Sequence, residues 1–303
     1  MSNALVAVNV AGLYKEPSTD SECVSQAVLG EVVNVQEERD GFTNMVGVDR
    51  YGGWIDSRHL VAEWDTADYL TTTIATLFGE VYTDPDPHAE LITKLVVGTR
   101  VCIAHRAESG DWVPIRLPST RIGYVHRACL SITHDSGAKR SNAQVGITAA
   151  TDLPDLKRQV VSAIGRQAVD VGKRLVGTPY LWGGRTPFGM DCSGFTQLCY
   201  RLSGLQILRD AAIQATDRRF GPVDGDPRLA AGKFEAGDLL LFHAAGQNDA
   251  ITHIGLATGD GRFLHCSRRN GVHMDFCETS PIGDRFAGAV RLLAHADLAI
   301  DAA

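Results

Sequence analysis

Residues 13–60 and 81–130 carry one pattern twice, and a repeat of that length restricts the front half of the chain to two similar small domains. Leu13-Tyr14-Lys15-Glu16-Pro17 answers Val81-Tyr82-Thr83-Asp84-Pro85, and thirteen residues later Gly30-Glu31-Val32-Val33 answers Gly98-Thr99-Arg100-Val101. Gly41-Phe42 then answers Asp111-Trp112, Gly53-Trp54-Ile55 answers Gly123-Tyr124-Val125, and Leu60 answers Leu130. The offset is 68 residues early and 70 late, so the second copy has a small insertion between them. Short alternating runs such as Val33-Asn34-Val35, punctuated by Gly, Asp and Pro, predict short strands and tight turns. About sixty residues of such strands close most readily as a small barrel, which removes exposed edges.

The back half reads differently. Residues 133–153 are polar and rich in small side chains, and predict a linker. Leu156, Val160, Val161, Ile164, Ala168, Val171 and Leu175 recur at helical spacing, up to a stop at Gly177-Thr178-Pro179. A second helix is predicted from Asp191-Cys192-Ser193-Gly194, where Phe195, Leu198, Cys199 and Leu202 form one apolar face. Strands follow at Leu239–Phe242, Ile251–Ala257 and Phe263–Cys266. Gly259-Asp260-Gly261 between the last two predicts a hairpin, which puts His253 and His265 on neighbouring antiparallel strands. The fold class is therefore α+β, with two barrels at 1–64 and 65–132, the linker, and a third domain over 154–303.

The chemistry concentrates in the third domain. Cys192 falls in the first turn of its helix, with Asp191 or Ser193 available as cap, and a helix N-terminus favours a thiolate. A nucleophilic thiol needs a base to take its proton, and the base needs a partner to fix its tautomer. His253 is the candidate base and His265 the candidate orienting group, while His243, His273 and His295 stay unassigned. Backbone N–H groups at the helix start, Cys192 among them, are candidates for the oxyanion site.

Bulk properties exclude several other classes. A net charge of −7 without a long basic run argues against nucleic acid or an anionic membrane surface as partner. No apolar stretch is long enough to span a bilayer. The seven cysteines are odd in number and scattered, with no CxxC pair, and the first residues lack a basic, signal-like start. These features predict a protein of the reducing cytoplasm.

Taken together, Pro179-Tyr180-x-Trp182-Gly183-Gly184, Asp191-Cys192-Ser193-Gly194-Phe195, Arg209-Asp210-x-x-x-Gln214, Gly237-Asp238-Leu239, His253-Ile254-Gly255 and Phe263-Leu264-His265 resemble the NlpC-type cysteine peptidases. These are papain-like hydrolases of bacterial cell-wall peptides, and the likeness covers about residues 155–293. The landmarks of the repeat resemble bacterial SH3-like domains. The resemblance implies a Cys192-His253-His265 catalytic set working without metal or other cofactor. It implies substrate contacts from Tyr180, Trp182, Asp191, Ser193, Arg209 and Asp210. One departure is Ala211, where some recycling members have serine.

Paired SH3-like domains ahead of such a peptidase resemble the γ-D-glutamyl-L-diamino-acid endopeptidases of free murein peptides. In that group the first SH3-like domain restricts the cleft to peptides with a free N-terminal L-alanine. A buried substrate amine calls for carboxylates. Asp191 is one candidate, with Glu31 and Tyr51 as further contacts from the first barrel. The alternatives are a secreted lysin cutting polymeric wall, a non-catalytic wall-binding protein, and a papain-fold acyltransferase or amidase.

Overall fold

The computed structural model describes residues 3–63, 69–104, 110–131, 153–225, 234–246 and 250–294. The linker expected at 133–153 lies, up to residue 152, outside the described residues. The chain divides into two compact units, over residues 1–136 and 137–302.

In the first unit, seven strands, β1 (Asn3–Val6), β2 (Val10–Tyr14), β3 (Cys23–Val28), β4 (Val32–Arg39), β5 (Phe42–Val46), β6 (Gly52–Asp56) and β7 (Leu60–Ala62), form a sheet in the order β3-β2-β6-β5-β4-β1-β7. Six more, β8 (Thr71–Thr73), β9 (Phe78–Tyr82), β10 (Leu91–Val96), β11 (Arg100–Ile103), β12 (Trp112–Arg116) and β13 (Ile122–His126), form a second sheet in the order β10-β9-β13-β12-β11-β8. The first six strands of the one order correspond to the six of the other. The Ile74–Leu130 bridge closes the second sheet at the position where Val6 pairs with Leu60 in the first.

Burial follows the predicted alternation. In β2, Ala11 and Leu13 point inward, and in β9, Gly79 and Val81 do the same. Each sheet wraps its own core, one built on Val6, Leu13, Val33 and Ile55, the other on Ile74, Val81, Ile115 and Val125. Gly30 and Gly98 turn the chain at matching points with the same left-handed φ of 77°. One side chain breaks the symmetry. Leu29, beside the first of these turns, is 5% exposed and belongs to the second core. The two sheets are thereby joined by shared apolar burial.

The second unit opens with helix α1 (Leu153–Arg174), one turn longer at its start than the apolar spacing predicted. Two short strands, β14 (Arg185–Thr186) and β15 (Gly189–Met190), lead into α2 (Cys192–Leu202), and α3 (Ala211–Gln214) follows. A six-stranded antiparallel sheet completes the unit, in the order β16 (Phe220–Val223), β21 (Phe286–Leu292), β17 (Leu239–His243), β18 (Ile251–Ala257), β19 (Arg262–Ser267), β20 (Gly271–Phe276). The hairpin pairs Leu256 with Leu264 and Ala257 with Phe263, as its turn sequence predicts.

Helix α2 packs on β18 and β19, burying Phe195, Leu198 and Cys199, and α1 crosses it. The crossing is close because Gly172 lacks a side chain: a Cβ there would stand 3.1 Å from both Phe195 Cζ and Leu264 Cδ1. Two turns earlier, Gly165 meets the chain entering β17, where an added Cβ would overlap the Ala236 carbonyl oxygen. Gly165→Ala is therefore expected to destabilise this unit by about 1–3 kcal/mol, the usual range for forced overpacking. Urea denaturation followed by tryptophan fluorescence checks this, and an unchanged midpoint would contradict it.

Candidate active site

Cys192 is the first residue of α2, and Asp191 is its N-cap. The Asp191 carboxylate accepts five hydrogen bonds. Oδ1 receives Gly194 N–H at 2.7 Å, Ser193 Oγ at 3.1 Å and Arg209 at 3.0 Å. Oδ2 receives Gly183 N–H at 3.0 Å and Arg209 at 2.7 Å. The Arg209 side chain has no solvent exposure and also donates to Ser193 Oγ at 2.8 Å and the Gly184 carbonyl at 3.3 Å. These contacts explain the glycines of the motif, since a Cβ on Gly194 would overlap the Gly184 carbonyl oxygen. Gln214 extends the clamp: it accepts the Thr196 hydroxyl at 2.7 Å and donates to the Ser193 and Leu208 carbonyls at 3.0 and 2.8 Å. Asp210 caps α3 through its backbone, and its side chain makes no capping bond.

The residues proposed for substrate contact thus divide by environment. Asp191, Ser193 and Arg209 are buried and tied to one another. Tyr180 and Trp182 lie at the surface end of the group, and Trp182 is 52% exposed. The Arg268 guanidinium stands over both of their rings, 5.8 and 5.7 Å from the centroids. Glu31 and Tyr51 belong to the first unit, where Glu31 accepts the Val28 N–H at 3.0 Å across a turn and the Tyr51 N–H donates to Asp49 at 3.1 Å.

The Cys192 side chain is buried, and the backbone N–H groups of Ile254 and Ser193 lie near enough to favour its thiolate. Ile254 directly follows His253, so β18 brings that histidine alongside α2. His253 Nε2 lies 2.8 Å from His265 Nδ1, a hydrogen bond between neighbouring strands of the hairpin. His265 is 2% exposed, and its other nitrogen, Nε2, lies 3.4 Å from Asp275 Oδ2 without forming a well-aligned hydrogen bond. Asp275 and His273 went unassigned in the sequence. The signal was present, because both stand on alternate positions of β20 and His273 pairs directly with His265.

The electrostatics reverse one sequence expectation. A helix N-terminus alone favours a thiolate, but burial, and then the Asp191 carboxylate, push the Cys192 thiol up to about 12. The Ile254 and Ser193 N–H groups and Arg209 pull the other way and lose. Burial lowers His253 to about 3, with His265, Arg285 and His273 adding repulsion. Burial and His273 lower His265 to about 4 against the opposing pull of Asp275. The resting site holds a neutral thiol and two neutral imidazoles.

Both histidines have folded values below the ordinary 6.5, so the unfolded chain takes up protons first as pH falls. Their contribution is fully present above pH 6.5 and is lost progressively down to about pH 3. Urea midpoints of the wild type should fall over that window more steeply than those of a His253→Gln, His265→Gln double variant, and parallel slopes would count against it.

The NlpC/P60 family profile matches residues 177–291, and that of the bacterial dipeptidyl-peptidase SH3 domain matches residues 13–60. The chain is 26% identical to Dipeptidyl-peptidase 6 of Lysinibacillus sphaericus, over 88% of each chain. It is 26% identical to a Gamma-D-glutamyl-L-lysine dipeptidyl-peptidase of Bacillus cereus, over 89% of this chain and 75% of the relative. A Bacillus subtilis protein of the latter name is 40% identical over 97 residues, 32% of this chain and 30% of that one. The crystal structure of an NlpC/P60 family protein from Bacillus cereus superposes with a TM-score of 0.74 at 20% identity, covering 96% of this chain and all of the other, which is a likeness of fold. Residues 177–291 thus carry an NlpC/P60 family domain, that of a cysteine peptidase, with a bacterial SH3 domain ahead of it at residues 13–60.

Proposed function

We infer that the protein hydrolyses the γ-D-glutamyl-L-diamino acid bond of murein peptides that begin with a free L-alanine, and that it acts in cell-wall recycling. Cys192 is the nucleophile, His253 the base and His265 its orienting partner. The observation that carries this reading is the buried junction of α2 and β18, where Cys192 opens the helix packed on the strand of His253 and His253 is bonded to His265 at 2.8 Å. The names of the relatives from Lysinibacillus sphaericus and Bacillus cereus support the substrate class. Seven free thiols suit a reducing compartment, which favours a cytoplasmic enzyme over a secreted lysin.

The resting pair is neutral, so proton transfer accompanies attack. The Cys192 thiol proton passes to His253 as sulfur bonds the γ-carbonyl carbon, and the carbonyl oxygen takes the negative charge. The Cys192 N–H, at the first position of α2, has no helical acceptor and is available to that oxygen. Collapse expels the diamino acid amine, which takes the proton from His253, and a thioester remains. Water then attacks the thioester with His253 as base, and the acid product and the free thiol are restored.

Peptides of this class carry carboxylates beside the scissile bond, and Arg268, an exposed cation held over Tyr180 and Trp182, is the proposed partner for them. For the N-terminal amine, Asp191 has five donors already, so its part is to shape the subsite while holding α2. Glu31 and Tyr51 remain the proposed contacts from the first unit.

Mass-spectrometric assay of L-Ala-γ-D-Glu-diaminopimelate should show release of L-Ala-γ-D-Glu, lost in Cys192→Ala while its circular dichroism stays that of the wild type. The N-acetylated peptide should be refused; efficient cleavage of it, or of intact wall, would replace this reading with that of a lysin. Arg268→Ala should raise KM for the acidic peptide about tenfold, the loss of one partly exposed charge-assisted contact, with little effect on kcat. An unchanged KM would remove Arg268 from the site.

A further inference from the structure

The base His253 is useful only in one tautomer. To accept the thiol proton at Nδ1, a neutral His253 must carry its own proton on Nε2. That proton then points at His265 Nδ1, 2.8 Å away, which must be a lone pair. His265, being neutral, must in turn hold its proton on Nε2. The opposite assignment is equally self-consistent within the pair: His265 Nδ1–H donates to His253 Nε2, His253 is protonated on Nδ1, and the thiol faces a group that cannot accept. Nothing inside the two rings chooses between these states, so the choice falls to whatever faces His265 Nε2.

The group that faces it is Asp275. Its Oδ2 lies 3.4 Å from His265 Nε2, and the Ser280 hydroxyl donates to the same oxygen at 2.9 Å. A carboxylate can only accept, so it favours N–H over a lone pair at Nε2. His273 also borders Asp275, with Nε2 at 3.6 Å from Oδ1. Its Nδ1 lies 3.0 Å from the Gly271 carbonyl, which assigns the His273 proton to Nδ1, so a neutral His273 has no N–H to offer the carboxylate. His265 Nε2 is thereby the one ring N–H directed at Asp275 among these histidines.

We propose that Asp275 is a positioning residue for the peptidase reaction, selecting the His265 tautomer that leaves His253 Nδ1 free to accept the Cys192 proton. The proposal rests on the reading of Cys192 as nucleophile and His253 as base. That reading fails separately if Cys192→Ala keeps its activity. Asp275 touches neither substrate nor thiol, and acts through two imidazoles.

Asn in place of Asp275 is the telling variant because it nearly preserves shape. Its amide NH₂ can donate to a lone pair on His265 Nε2, which stabilises the unproductive state. Asp275→Asn should lower kcat by about 10- to 100-fold with KM near the wild-type value. Asp275→Ala, which offers no donor, should lose less. A residue that only supports the fold would give the reverse ranking. The tautomer itself is read by ¹⁵N NMR of histidine-labelled full-length protein. The wild type should show a protonated His265 Nε2, and Asp275→Asn a protonated Nδ1. A wild-type His265 protonated on Nδ1 overturns the proposal even if neither variant folds. So does an Asp275→Asn enzyme with wild-type kcat.

Discussion

The buried pair of Asp191 and Arg209 is the constraint on which the peptidase unit depends. An unpaired charge in that position costs several kcal/mol, so each residue requires the other. Their geometry also leaves little slack. Arg209 reaches Asp191 with both terminal nitrogens while binding Ser193 and Gly184, and Asp191 in turn holds Gly183 and Gly194. A strand-to-helix turn that would otherwise expose unsatisfied N–H groups becomes a fixed corner. Cys192 sits at that corner, so the direction of its sulfur follows from an ion pair that takes no part in bond breaking.

The second constraint is the hairpin of β18 and β19. Side chains alternate along a strand, and one residue of slippage would turn His253 or His265 to the opposite face. The turn at Gly259-Asp260-Gly261, whose first and last glycines have left-handed φ values of 87° and 81°, fixes the register. The same period sets His273 and Asp275 beside His265 on the next strand. A site built this way needs little from loops.

Much of this was legible in the chain, because the determining signals are local. The repeat predicted two like sheets, and the matching left-handed glycines at positions 30 and 98 mark the same turn in each. Helical spacing from Leu156 to Leu175 and around Phe195 predicted α1 and α2, and an Asp-Gly turn predicted the histidine hairpin. What escaped was long-range. Leu29 looks like any strand-end leucine until the second core surrounds it. The sequence also does not reveal that Arg209, eighteen residues from Asp191, is folded against it. The helix dipole suggested a low thiol pKa, whereas burial and the adjacent carboxylate, which depend on the packed structure, raise it.

That raised value has a consequence for the protein's chemical durability. Oxidants and alkylating agents react with thiolates, and Cys192 at rest is a buried thiol. On the proposed mechanism, its nucleophilicity is summoned by an electrophile docked beside His253 rather than displayed in advance. A thiol held in that state reacts more slowly with peroxide and alkylating agents than a preformed thiolate does.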